Sequence, residues 1–232
     1  MRHTSRVLVA VLVATAAFVA AFALAAPSRA DTIVCGKEGY SYAGAQNAGG
    51  ARGVVAALTT VAAPQVQNGH VAAWVGVGGA GAGPGGTDEW MQVGVATFAD
   101  GQSMIYTEVT EPGAGPKFTA YRTSGIAGER HQMAVVELPG NEEMWQVWVD
   151  GRWIGQPVHL PGSDAAWAPI ATVESYDGGK PVCNRFRYRF DALEVATSYG
   201  VWEQFEAGEV FQDPGYQVIP RPTGFLARAA GY

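Results

Sequence analysis

Apolar positions in this chain come in short runs that alternate with polar ones, and most runs end at Gly, Pro or Asp-Gly. A period of two is the signature of a strand with one buried face. The central stretch runs from His70 to Phe98. His70 to Val77 is β-branched and aromatic, a Gly-rich loop follows, and Glu89 to Phe98 alternates again, so the stretch reads as strand, loop, strand. In its second half Trp90, Gln92, Gly94 and Ala96 share one face and Met91, Val93 and Val95 the other.

The same grammar predicts strands at Gly53 to Ala62, where Pro64 ends the run, and at Ser103 to Thr110, Phe118 to Ser124 and His131 to Leu138. Met144 to Val149 meets Arg152 to Ile154 across Asp150-Gly151, a dipeptide suited to the positive φ angles of a type I′ hairpin turn. Val158 to Leu160, Ile170 to Tyr176 and Asn184 to Val195 complete the series. On the last of these, Arg185, Arg187 and Arg189 share one face and Phe186, Tyr188 and Phe190 the other. No window has a 3.6-residue period; single helical turns at Asp88 to Met91 or Asp164 to Ala166 are the most that fits. Many short strands joined by turns predict an all-β sandwich.

Composition sharpens this picture. Met1 to Ala30 has a charged start, an apolar middle and a small-residue cleavage site, so it reads as a secretion signal and predicts an exported, extracellular protein. Residues 31–200 are expected to form the sandwich. Residues 201–232 are read as a C-terminal extension, with disorder from Arg221 onward, where few residues are available to hold the chain down. Removing the signal takes away three arginines and no acid, so the formal net charge falls from −6 to −9. That excess of acid argues against nucleic acid and anionic membranes as partners. The two cysteines, Cys35 and Cys183, are predicted to form a disulfide in an oxidising compartment.

Most familiar chemistries are missing. The histidines show no HExxH spacing, so no metal site is expected; there is no GxSxG elbow, and Gly78 to Gly86 lacks a phosphate loop's lysine. Acids and amides remain. Gln92 lies between Trp90 and Gly94 on one strand face, where it is either satisfied within the sheet or set out for chemistry. Glu174 sits inside a strand-like run, facing outward or held inward for a purpose. If the two met across a concave sheet, the carboxylate would take a proton from water while the amide donated to the oxygen that becomes negative.

Five fragments in order carry a resemblance: Tyr42-Ala-Gly44, Ala73-Trp-Val-Gly-Val77, Trp90-Met-Gln-Val-Gly94, Tyr106-Thr-Glu108 and Ala171-Thr-Val-Glu-Ser175. From about Tyr40 to Thr197 the chain resembles the glutamic peptidases, or eqolisins. The resemblance implies a concanavalin-like sandwich of two curved antiparallel sheets, and an acid-acting endopeptidase that needs no cofactor. By matching motifs it implies Gln92 and Glu174 as the catalytic dyad, with Trp74, Tyr106 and Glu108 binding substrate. Gly78 stands where that family usually carries an aspartate. The expected partner is a polypeptide and the expected state a monomer. The rival reading is a non-catalytic, lectin-like module that binds polysaccharide on Trp90, Trp145, Trp148 and Trp153.

Overall fold

A computed structural model describes residues 36–124, 127–180 and 182–232, which lie within one compact unit, Ile33–Tyr232. The secretion signal and Cys35 lie outside the described residues; none of the described cysteines is free. The strands are β1 Tyr40–Asn47, β2 Gly53–Gln65, β3 His70–Gly79, β4 Glu89–Phe98, β5 Ser103–Thr110, β6 Lys117–Thr123, β7 Arg130–Glu137, β8 Met144–Val149, β9 Arg152–His159, β10 Ile170–Tyr176, β11 Arg185–Ser198, β12 Val201–Gln204, β13 Ala207–Gln212, β14 Tyr216–Arg221 and β15 Gly224–Ala229. They form two antiparallel sheets, β13-β1-β10-β3-β4-β5-β6 and β14-β15-β11-β2-β7-β8-β9, with β12 pairing β11. Among the described residues the one helical piece is a 3₁₀ turn at Pro84–Gly86, inside the glycine-rich loop.

Alternation decides which residues meet between the sheets. Val71, Ala73, Val75 and Val77 of β3 and Met91, Val93 and Val95 of β4 pack against Val54, Ala56 and Leu58 of β2 and Phe186, Tyr188 and Phe190 of β11. The arginines of β11 take its other face, where Arg189 pairs with Asp191 at 2.6 Å. Trp145 is fully buried and donates to Ser163 Oγ at 2.8 Å. A second, smaller cluster of Ala72, Trp74, Ala96 and Tyr106 lies on the opposite face of β3, β4 and β5. That face carries the candidate site.

Three expectations need correction. Pro64 does not end β2; it falls where Ala62 and Gln65 pair with Arg187 and Arg185, a bulge that spares the missing N–H. Arg152 to Ile154 and Val158 to Leu160 are not two strands but one, β9, which bends through Gly155 at φ 70°. The segment after residue 200 is not a loose extension. It supplies β12 to β15, and β15 lies between β11 and β14, with Phe225 stacked on Phe190 at 4.6 Å. Gly224 makes this docking possible, because a Cβ there would sit 2.1 Å from the Phe190 carbonyl oxygen.

Candidate active site

The antiparallel registers arrange the outer face of the first sheet in rows. One row is Tyr42, Glu174, Ala72 and Ala96; the next is Gly44, Thr172, Trp74, Gly94 and Tyr106; the third is Gln46, Ile170, Gly76, Gln92 and Glu108. Glycine in the second and third rows lets the large side chains lie across the sheet. A Cβ on Gly94 would come within 2.7 Å of Trp74 Cβ, and one on Gly76 within 2.9 Å of Gln92 Cβ.

Over these rows opens a cleft of about 540 Å³. Gln92, Glu174, Trp74 and Glu108 all line it, so four of the five residues proposed from sequence meet in one groove. Tyr106 does not line it. It is 2 % exposed, stacks on Phe118 at 4.9 Å, and its hydroxyl accepts a hydrogen bond from Gln92 Nε2 at 3.1 Å. Tyr106 therefore positions the amide from beneath instead of touching substrate.

The electrostatics differ from residue to residue. Glu174 Oε1 lies 2.9 Å from His70 Nε2, and Tyr42 stands directly opposite it in the ladder. Burial, then the Glu174 carboxylate, raises the Tyr42 phenol, so it stays a neutral donor. Glu108 accepts from Trp90 Nε1 at 3.1 Å, yet its carboxyl is raised from the ordinary 4.5 because desolvation outweighs that bond, and Glu174 pushes the same way. Tyr106 is held well above 10 by burial first, then by Glu174 and Glu108.

On a flat lattice two rows and two strand spacings would separate the Glu174 and Gln92 Cα atoms by about 16 Å. Glu174 Oε1 meets His70 Nε2 at 2.9 Å, in the row on the side away from Trp74, and both Glu174 and Gln92 open onto the same cleft. Glu108, directly across from Gln92 on the next strand, is the carboxyl nearest the amide by register. By register Trp74 stands in the row between the two carboxyls, and its indole Nε1–H is buried with no hydrogen-bond partner among the described residues. A buried donor left unpaired costs about 1–3 kcal/mol.

Sequence reasoning missed His70, Tyr42 and Tyr40. Their signal was the period itself, since even-numbered residues of β1 and β3 share the face of Trp74. Phe211, on β13, also lines the cleft, so the C-terminal segment helps to build the site. The supposed tryptophan platform is not one surface. Trp145 is in the core, Trp90 is in the cleft, and Trp148 and Trp153 pair at 5.9 Å on the other sheet.

No protein-family model matches the sequence, and no curated protein matches it. Solved structures do. The crystal structure of scytalido-glutamic peptidase with a peptide-based transition-state analogue superposes with a TM-score of 0.57 at 14 % identity, covering 84 % of this chain and 100 % of that one. A second structure of that enzyme, with a transition-state analogue inhibitor, gives 0.56 at the same identity and coverage. SCP-B, a member of the eqolisin family in complex with the tripeptide Ala-Ile-His, gives 0.53 at 14 % identity and the same coverage. At this identity the likeness shows the fold: this chain is an all-β sandwich of the architecture seen in the glutamic peptidases.

Proposed function

We propose that the chain is an exported endopeptidase that works in acid, with Glu174 as general base and Gln92 as the donor to the oxyanion. The observation that carries this reading is one cleft holding a fixed amide and two carboxyls in unlike surroundings, one beside His70 and one beside Trp90. Carboxyls in different environments divide acid and base roles. Glu174, paired with His70, takes the proton from the attacking water. The Gln92 amide donates to the carbonyl oxygen as it becomes negative. Glu108, whose raised carboxyl keeps its proton to higher pH than an ordinary glutamate, stands beside Gln92 to donate to the same oxygen. The tetrahedral intermediate then collapses as Glu174 returns its proton to the leaving amine.

The test is cleavage of a denatured protein followed by mass spectrometry from about pH 3 to pH 7, the range over which carboxyls near 4.3 and above titrate. The proposal expects a bell-shaped profile with an acid optimum. In Glu108→Gln, which cannot titrate, the alkaline limb should flatten. Absence of cleavage by folded protein at every pH would remove the hydrolase reading and favour a binding module in the same groove.

A further inference from the structure

Away from the cleft, Ser124, His131 and Asp150 come together from three elements. Ser124 follows β6, His131 is on β7, and Asp150 opens the turn between β8 and β9. Ser124 Oγ lies 2.8 Å from His131 Nε2, and His131 Nδ1 lies 2.9 Å from Asp150 Oδ2. We propose that these residues form a second reactive site, in which Ser124 is a nucleophile toward small activated esters and phosphonyl fluorides. The proposal is independent of the peptidase reading.

Three observations carry it. First, a nucleophile, a base and an orienting carboxylate stand in hydrogen-bond sequence, the geometry that activates a serine on any fold. Second, the orienting acid is fixed. Asp150 holds φ 50° in the Asp-Gly turn, Oδ1 accepts the Gln132 N–H at 3.0 Å, and Oδ2 accepts from Arg122 at 2.8 Å. Arg122 Nη2 also lies 3.1 Å from His131 Nδ1 but makes its shorter bond, 2.8 Å, to Asp150 Oδ2; with Arg122 spent on that carboxylate, which cannot itself donate, Nδ1 donates to Asp150 and in neutral His131 Nε2 is left as the acceptor that Ser124 needs. Third, Ser124 lies on the wall of a cavity of about 520 Å³, with Ala63, Pro64, Thr97 and Met104 among its other walls. Such a lining suits a small apolar acyl group.

Glu129 competes with His131 for the Ser124 proton. Its Oε2 lies 2.7 Å from Ser124 Oγ and 3.7 Å from His131 Nε2. A hydroxyl donates to one acceptor at a time. While His131 is protonated, Nε2–H points at Ser124 and the hydroxyl turns to Glu129. Once the imidazole is neutral the hydroxyl can turn to Nε2. Arg122 and Asp150 on the far side balance each other in charge.

In the reaction Ser124 Oγ attacks the ester carbonyl carbon as its proton passes to His131 Nε2. The C–O bond to the leaving alkoxide breaks, His131 protonates that alkoxide, and an acyl-Ser124 remains. Water, deprotonated by the same imidazole, cleaves the acyl ester to free acid and restores the serine.

The experiment is intact-mass analysis and peptide mapping of the full chain after treatment with a fluorophosphonate probe, with p-nitrophenyl acetate as the turnover substrate. A single adduct mapped to Ser124 is expected in the wild type. Ser124→Ala should abolish the adduct and leave peptide cleavage unchanged. His131→Gln should slow labelling roughly a hundredfold or more. Glu129→Gln, which removes the competing anion, should speed labelling by leaving the Ser124 hydroxyl to His131. No adduct in the wild type, or one that maps elsewhere, overturns the proposal; so does labelling at Ser124 that is indifferent to His131→Gln, because the serine would then be accessible but not activated.

Discussion

Glu89 is sealed beneath the glycine-rich loop at 0 % exposure, and neither of its carboxyl oxygens has a hydrogen-bond partner among the described residues. Gly83 lies so close that a Cβ there would sit 2.3 Å from Glu89 Oε2. Burial is the main force on this carboxyl; His159 opposes it and Glu143 and Glu111 add to it, and the result is a rise from 4.5 to about 7. The folded chain therefore binds this proton more tightly than the unfolded chain does. The resulting stability is complete below the unfolded value of 4.5 and is lost as pH rises through about 7. At 1.4 kcal/mol per tenfold, the full swing is about 3 kcal/mol. The cover is a thin loop that water can enter by local opening, so about 1–3 kcal/mol is the working expectation. Glu89→Gln carries no charge to bury, so it should hold its melting temperature between pH 5 and pH 8 while the wild type loses several degrees, at about 2–4 °C per kcal/mol for a domain this size. Calorimetry or urea unfolding at matched ionic strength reads the difference. If wild type and variant lose stability in parallel over that range, Glu89 is not the group that titrates and the loop does not hold it neutral.

Three further outcomes follow from named contacts. Tyr106→Phe keeps the ring that stacks on Phe118 but deletes the hydroxyl that accepts from Gln92; kcat should fall roughly tenfold or more with KM and melting temperature nearly unchanged, read by steady-state kinetics. Gly94→Ala drives a Cβ to 2.1 Å from the Ala73 carbonyl oxygen in mid-sheet, so it should destabilise by about 2–4 kcal/mol and disturb Trp74, read by denaturant midpoint and tryptophan fluorescence. Arg52→Met strips the 2.6 Å partner from Glu137, which is fully buried; a loss of about 3 kcal/mol at neutral pH is expected, read by urea unfolding.

The sandwich was legible because alternation and turns are local. β4, β5, β8 and β10 fall where period two and the Gly and Asp-Gly breaks put them. β15 was not legible, since Pro220, Pro222 and Gly224 look like punctuation until Phe225 finds Phe190, a partner set by long-range packing. The cleft was legible in its parts: Gln92 and Glu108 share a face by simple parity, as the ladder shows. What the sequence could not place was the offset between Glu174 and Gln92. Register across β3 is fixed by pairing of β10 and β4 with the same strand, and that puts Trp74 between them. His70 escaped notice for the same reason, because a lone histidine gains meaning only when a ladder brings a carboxylate beside it.

The most direct test is turnover of one peptide substrate at the acid optimum by wild type, Gln92→Ala and Glu174→Gln, each shown to melt like the parent. The account predicts that the wild type cleaves and that each substitution lowers kcat by about a hundredfold or more. Equal cleavage by all three would contradict it.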